Sequence, residues 1–316
     1  MQSRSDLAFL FPGQGSQSIG MLQDLAQAHA VVQKTFIEAS GALEEDLWEI
    51  ACEGPESLMN RTDYTQPLML VAGVAVWRCW REGGGPLPGY MAGHSLGEYT
   101  ALVCSGALDF SDGVRLVRDR GRYMQEAVPE GDGAIAAVLG LDDEQIANVC
   151  AQAAEGEVVE PVNFNSPGQV VIAGHTAAVN RALEQAKAAG AKRAVQLPMS
   201  VPAHCSLMRP AAEQLAVRLE QVDIQAAQIP VIHNVDVSLS GNSDSIKQHL
   251  VDQVRSPVRW SDCVKSLAEQ GATTAIECGP GRVLAGLNRR IDRAMSVYAL
   301  YDRNSLAETL TAMEVE

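Results

Sequence analysis

Gly93-His94-Ser95-Leu96-Gly97 fits G-x-S-x-G and lies between a short apolar segment, Tyr90-Met91-Ala92, and an amphipathic stretch from Leu96 to about Leu108. A strand that turns sharply into a helix leaves little room for Cβ atoms beside the turn, which accounts for the two glycines. The helix N-terminus that follows favours developing negative charge. Ser95 is therefore the expected nucleophile, the plainer alternative being a glycine turn whose serine caps a helix. A serine hydroxyl needs a general base, and the six histidines stand at 29, 94, 175, 204, 233 and 249. His94 adjoins Ser95, and adjacent side chains diverge at such a turn. His204 lies in the loop Val201-Pro202-Ala203-His204-Cys205-Ser206, but spacing does not separate it from His175 or His233.

Arg120 is a second chemical signal. On a helix over 111–126, Arg115, Arg118 and Arg122 share one face, whereas Arg120 falls within the apolar stripe of Leu116, Val117, Tyr123 and Met124. A guanidinium buried there must be paired, either in an internal salt bridge or with the carboxylate of a substrate, which it can grip with two N–H groups.

The elements that must position these groups follow from patterning. Leu7 to Phe11 reads as a buried strand running into the turn Pro12-Gly13-Gln14-Gly15-Ser16-Gln17. A helical pattern spans 22–43, a polar region runs through Thr62, and an apolar helix covers 67 to about 81 before the breaker at 83–89. From Gly133 the order becomes strand 133–140, helix 142–155, strand 158–165, strand 169–173, helix 176–189 and strand 193–198. This β-α-β-β-α-β order is ferredoxin-like and predicts a small subdomain at 130–200, inserted between the two parts of a larger one, 1–129 and 201–316. Beyond it come helix 208–221, strand 230–234, helices 245–253 and 261–270, and strand 274–277. The fold class is α/β, with a mainly parallel sheet flanked by helices.

The chain has 316 residues, 47% of them hydrophobic, enough for a core without disulfide or metal staples. The longest apolar run, 67–77, is too short to span a membrane. Lys and Arg number 24 against 39 Asp and Glu, a formal charge of −15 that argues against general nucleic-acid binding. Seven cysteines without a CxxC pair suggest incidental thiols rather than a disulfide framework or metal ligands. The polar start of the sequence resembles neither a secretory nor a transit signal, so a cytoplasmic protein is expected.

Five motifs in order, Phe11-Pro12-Gly13-Gln14-Gly15-Ser16-Gln17, Gly93-His94-Ser95-Leu96-Gly97-Glu98, Arg120-Gly121, the 161–168 segment from Pro161 to Gly168, and Val201-Pro202-Ala203-His204, resemble the malonyl-CoA:acyl carrier protein transacylases of bacterial type II fatty acid synthesis. Gln253 with Pro257-Val258, and Gly279-Pro280-Gly281, extend the resemblance over nearly the whole chain, leaving the first few residues and the tail after about Tyr298 as individual. The resemblance implies Ser95 as the acyl-carrying nucleophile, His204 as its base and Arg120 as the clamp on the malonyl carboxylate. By it, the Gln253 main-chain carbonyl orients the histidine, giving a Ser–His pair without the usual Asp. The backbone N–H groups of Gln14 and Leu96 would hold the oxyanion. It further implies a hydrolase-like core beneath the small subdomain, and ping-pong transfer of malonyl from malonyl-CoA to the phosphopantetheine thiol of acyl carrier protein for fatty acid synthesis. No metal or redox cofactor is indicated, and a monomer suffices.

Carrier proteins of that pathway are acidic, so an acidic chain must dock them on a local basic patch. Lys187, Lys192 and Arg193, and Arg282, Arg289, Arg290 and Arg293, are the expected docking cations. Three other readings compete. A serine hydrolase or thioesterase would use the same residues, a polyketide acyltransferase or malonate decarboxylase nearly all of them, and a silent binding subunit would lack one of Ser95, His204 or Arg120.

Overall fold

The computed structural model describes residues 3–199 and 201–314. The expected boundary at 200 and the outer limits at 1 and 316 lie outside the described residues. The described residues hold nine strands: β1 (Ser3–Phe11), β2 (Leu87–Gly93), β3 (Gly133–Leu139), β4 (Val159–Ser166), β5 (Gln169–His175), β6 (Arg193–Gln196), β7 (Val231–Ile232), β8 (Thr274–Cys278) and β9 (Ser296–Leu300). They form a parallel sheet, ordered β7-β2-β1-β8-β9, and a separate antiparallel sheet, ordered β4-β5-β3-β6.

β1 lies at the centre of the parallel sheet and is apolar on both faces, as a strand covered on both sides must be. Leu7, Phe9 and Phe11 enter one core, where Phe9 meets Trp77 edge-on at 5.0 Å. Ala8 and Leu10 enter the opposite core with Trp260, Val264 and Leu267. The helix bearing Trp77 begins at Thr62, five residues before the expected start at Pro67. Pro67 has no N–H for the carbonyl of Asp63, one turn back, and that carbonyl instead accepts from Arg118 Nη1 at 3.1 Å. The break is thereby repaired from a neighbouring helix.

Other boundaries also move. The single helix expected over 22–43 is two, Gln23–Ala28 and Ala30–Leu43, because His29 takes an extended conformation. The polar region before Thr62 contains two short helices, Leu47–Glu53 and Glu56–Met59. β2 starts at Leu87 rather than Tyr90, since pairing of Leu87 with Ser3 of β1 carries it past the proline. The helix after Ser95 ends at Cys104, short of the expected Leu108. Helices Val283–Ile291 and Arg303–Glu314, and β9 between them, were outside the expected elements.

The antiparallel sheet carries helices Asp143–Ala153 and Thr176–Ala188, packed over Ala136, Val138 and Ile172 with Ile146, Val149, Val179 and Leu183 in a core of its own. Asp142 opens the first helix with a capping box to Gln145. On the other face Ile135, Val171 and Ala173 meet Cys205, next to His204. Strand β4 also pairs with the chain at Val258, whose N–H reaches the Val162 carbonyl at 2.8 Å. The molecule is thus a mixed α/β fold in which the smaller sheet packs against the loop that follows β6. Among the described residues, no helix is long and apolar enough to cross a membrane.

Candidate active site

The site forms at the carboxyl ends of β1 and β2, where parallel sheets place their ligands. Phe11 pairs with Gly93, and the next N–H, of His94, reaches the Phe11 carbonyl at 3.0 Å. The chain then reverses at Ser95, with φ 53° and ψ −109°, into the helix Leu96–Cys104. The turn is tight enough that a Cβ on Gly93 would lie 1.8 Å from the carbonyl carbon of Gly97, and one on Gly97 2.0 Å from the Phe11 oxygen. Both glycines are therefore obligatory. Asn234, just beyond β7, holds the turn from beneath: its Oδ1 accepts from Ser95 N at 2.7 Å and its Nδ2 donates to the Gly93 carbonyl at 2.8 Å.

Ser95 Oγ lies 2.7 Å from His204 Nε2, and His204 Nδ1 lies 2.7 Å from the main-chain oxygen of Gln253. A carbonyl can only accept, so Nδ1 carries the proton and the Nε2 lone pair faces the serine hydroxyl. His204 is itself in the left-handed region, φ 66°, tied down by its N–H to the Val254 carbonyl at 3.1 Å. Burial, followed by the nearby Arg120 charge, holds its pKa down at about 3, keeping the imidazole neutral.

Of the other histidines, His94 also lines the site, whereas His175, His233 and His249 lie outside it. The ring of His94 meets Trp260 at a tilt of 54°, with centroids 5.6 Å apart, and bonds Asn165 Oδ1 at 2.8 Å. His175 Nδ1 accepts from Val158 in the small sheet. His233 pairs with Glu98 beneath the elbow, and His249 reaches Asp236.

Arg120, 1% exposed, points from helix Phe110–Glu126 toward the nucleophile. Its Nη1 donates to Gln66 Oε1 at 2.7 Å, and its Nη2 donates to Gln253 Oε1 at 2.9 Å and Ser95 Oγ at 3.2 Å. Among the described residues it forms no ion pair, so the internal salt bridge, one of its two sequence readings, is not what buries it. Burial lowers its pKa from the usual arginine value. The guanidinium faces a cavity of about 60 Å³ lined by Ser95, His204, Gln14, Leu96 and Met124. Gln14 reaches this cavity because the preceding Gly13 presses on the elbow, where a Cβ would sit 2.5 Å from the His94 carbonyl oxygen.

Three site residues escaped the sequence reading of roles. Gln66 lies in the part of helix Thr62–Glu82 that precedes the expected start at Pro67, and Asn234 reads as the end of a strand. Glu98 ends the elbow motif, and it lies in the uniformly buried stretch 96–102, where a carboxylate must find donors. It finds His233 Nδ1 at 2.7 Å, Asn234 N at 2.9 Å and Gln253 Nε2 at 2.8 Å.

The family model described as "Acyl transferase domain" matches residues 8–303. The malonyl CoA-acyl carrier protein transacylase of Escherichia coli K12 is 54% identical over 306 residues, covering 97% of this chain and 99% of the relative. The chain belongs to the malonyl CoA-acyl carrier protein transacylase family. A more distant member, from Bacillus subtilis, is 43% identical over 99% of this chain and 98% of its own. In three dimensions, an acyl carrier protein S-malonyltransferase from Vibrio cholerae matches with a TM-score of 0.94 at 53% identity, covering 96% of this chain and all of the other. A malonyl-transacylase solved in complex with its type II PKS acyl-carrier protein matches with a TM-score of 0.96 at 53% identity, covering 98% of this chain and 100% of that one. As a member of this family of acyltransferases, the chain carries Ser95, His204 and Arg120 together in one cavity.

Proposed function

We propose that this protein transfers malonyl from malonyl-CoA to the phosphopantetheine thiol of acyl carrier protein through an ester on Ser95, supplying the malonyl carrier for fatty acid synthesis. The observation that carries the substrate is Arg120, a buried cation with no ion pair among the described residues, 3.2 Å from the nucleophile hydroxyl. The names of the relatives, and the complex of one neighbour with its carrier protein, support the same donor and acceptor here.

In this reading His204 Nε2 takes the Ser95 proton as Oγ attacks the thioester carbonyl. The oxyanion rests on the backbone N–H groups of Gln14 and Leu96. Leu96 is the first residue of its helix, so its N–H has no acceptor one turn back. Collapse breaks the C–S bond, and the CoA thiolate leaves with the proton from His204. The carrier thiol then gives its proton to His204 and attacks the ester; as the C–Oγ bond breaks, His204 returns that proton to Ser95 Oγ. Gln253 serves as the carbonyl that orients the base. Arg120 exchanges its contact with Ser95 Oγ for the malonyl carboxylate. Burial, the larger cause of the low His204 pKa, persists through that exchange, while the smaller effect of the Arg120 charge is offset by the carboxylate. The cavity is narrow, about 60 Å³, so an acyl group seated in it leaves little room for water, which favours transfer over hydrolysis.

The small unit at 130–200 is assigned as a ferredoxin-like subdomain on a hydrolase-like core, supported by its β-α-β-β-α-β order and separate core. For the carrier we assign the surface where Arg290 Nη1 reaches Gln169 Oε1 at 2.9 Å, with exposed Lys192 and Arg193 of the small unit, and with Arg282, Arg289, Arg293 and Lys187 as the further candidate cations. All the chemistry comes from one chain, which supports a monomer, and its CoA and carrier substrates support a cytoplasmic setting.

The test is intact-protein mass spectrometry after brief mixing with malonyl-CoA, then a chase with buffer or holo-acyl carrier protein, with Ser95→Ala as control. A malonyl adduct that needs Ser95, survives buffer and moves to the carrier is expected. Rapid loss in buffer would make the chain a hydrolase, and no adduct would overturn the reading.

A further inference from the structure

Beneath the elbow, one residue bonds Ser95, His204 and Arg120 together. Gln253 Nε2 donates to Glu98 Oε2 at 2.8 Å and to the Ser95 carbonyl at 3.0 Å, while its Oε1 accepts from Arg120 at 2.9 Å. Its main-chain oxygen, meanwhile, holds His204. The amide has only one workable orientation. Flipped, it would set its NH2 against the Arg120 N–H groups and its oxygen against a carboxylate and a carbonyl, donor facing donor and acceptor facing acceptor. What enforces the orientation is the pair of charges at its ends, the Arg120 guanidinium on one side and the Glu98 carboxylate on the other. Glu98 is fully buried, and all three groups within hydrogen-bond reach donate to it. It touches neither the cavity nor Ser95 Oγ, His204 or Arg120 directly.

We propose that Glu98 is a positioning residue of the acyl-transfer site: its carboxylate pins the Gln253 amide, and the amide in turn holds Arg120 in register with Ser95 and His204. The negative charge that the Ser–His pair lacks as a direct third member is thus supplied to the site at one remove, on the substrate-clamping side. Glu98 thereby contributes to the choice of acyl group as well as to the rate. This rests on the proposed malonyl transfer at Ser95.

Glu98→Gln keeps the size but loses the charge and one of two acceptor oxygens. The experiment compares acylation rate constants for malonyl-CoA and acetyl-CoA, per titrated active site, in the wild type, Glu98→Gln, Gln253→Met and the double variant. Thermal unfolding is followed in parallel. Each single change is expected to lower the malonyl-to-acetyl ratio by about 10- to 100-fold, the scale of a misplaced positioning group. The double variant should be no worse than Gln253→Met alone, because Glu98 acts through that amide. A merely structural Glu98 would lower the active fraction and leave the ratio unchanged.

A folded Glu98→Gln with the wild-type ratio, or additive losses in the double variant, would overturn the proposal. If Glu98→Gln does not fold, Gln253→Met carries the test, since it keeps the carboxylate but breaks the relay, and a wild-type ratio there overturns the proposal equally. A wild-type chain that forms no malonyl ester overturns the functional reading and this proposal with it. Normal wild-type behaviour with unaltered variants overturns this proposal alone.

Discussion

Arg120 bonds two glutamine side chains and the Ser95 hydroxyl, so its charge is free to meet a substrate carboxylate. Arg120→Ala should therefore cost malonyl-CoA about 10- to 100-fold in kcat/KM, the worth of about one charged hydrogen bond, while acetyl-CoA changes little. Parallel kinetics with both donors check this, and an unchanged preference would remove the clamp. His204 gives a pH prediction. The neutral imidazole is the working base, and a pKa held down at about 3 keeps it neutral well below the ordinary histidine range. The acid limb of kcat/KM should accordingly lie at least a unit below 6.5, and an inflection near 6.5 in the pH profile would contradict it. Ser95 was legible from its pentapeptide and Arg120 from helical phase, since both signals are local. His204 was not, because the base meets the nucleophile across 109 residues of chain, a closeness that only the tertiary fold creates. Only the motif resemblance singled it out. Gln66 and Asn234 left no local signature at all.

At the level of elements, the elbow depends on contacts between backbones. Gly97→Ala would drive a Cβ to 2.0 Å from the Phe11 oxygen of the central strand, where neither partner can yield as a side chain could. A loss of at least about 3 kcal/mol is expected, read as a lowered midpoint in urea unfolding, and a stability equal to wild type would mean that the turn can open. Strands of the small sheet were legible to within a residue or two because alternation and the turn at Ser166-Pro167-Gly168 mark them. The start of helix Thr62–Glu82 was not, because Pro67 looked like a beginning and the carbonyl it orphans is repaired by Arg118, far away in sequence. Strand β9 is a different case: Val297-Tyr298-Ala299-Leu300 is an apolar run much like that of β1, but it falls where the tail is read as individual, and only Leu300 of it is fully buried.

For the whole molecule, a net charge of −15 would repel an acidic carrier, and any docking must overcome that field locally. Reversing Arg289 and Arg290 to glutamate should raise KM for the carrier several-fold, more at low salt, with KM for malonyl-CoA unchanged. Steady-state kinetics at two ionic strengths check this, and equal effects on both substrates would reject the surface. The two residues closest to the chemistry, Ser95 and His204, have φ of 53° and 66°, a region that side chains avoid. Such strain costs about 1–3 kcal/mol per residue and persists only because the surrounding fold is stable enough to impose it. Activity is therefore in tension with stability at its very centre. Ser95→Gly should melt above Ser95→Ala although both lack the hydroxyl, because only glycine relaxes the turn, and equal melting temperatures would show the turn to be unstrained. Natural selection for a tougher chain, left unopposed, would thus push this position toward glycine and inactivity, so the serine persists as a mark of continued use.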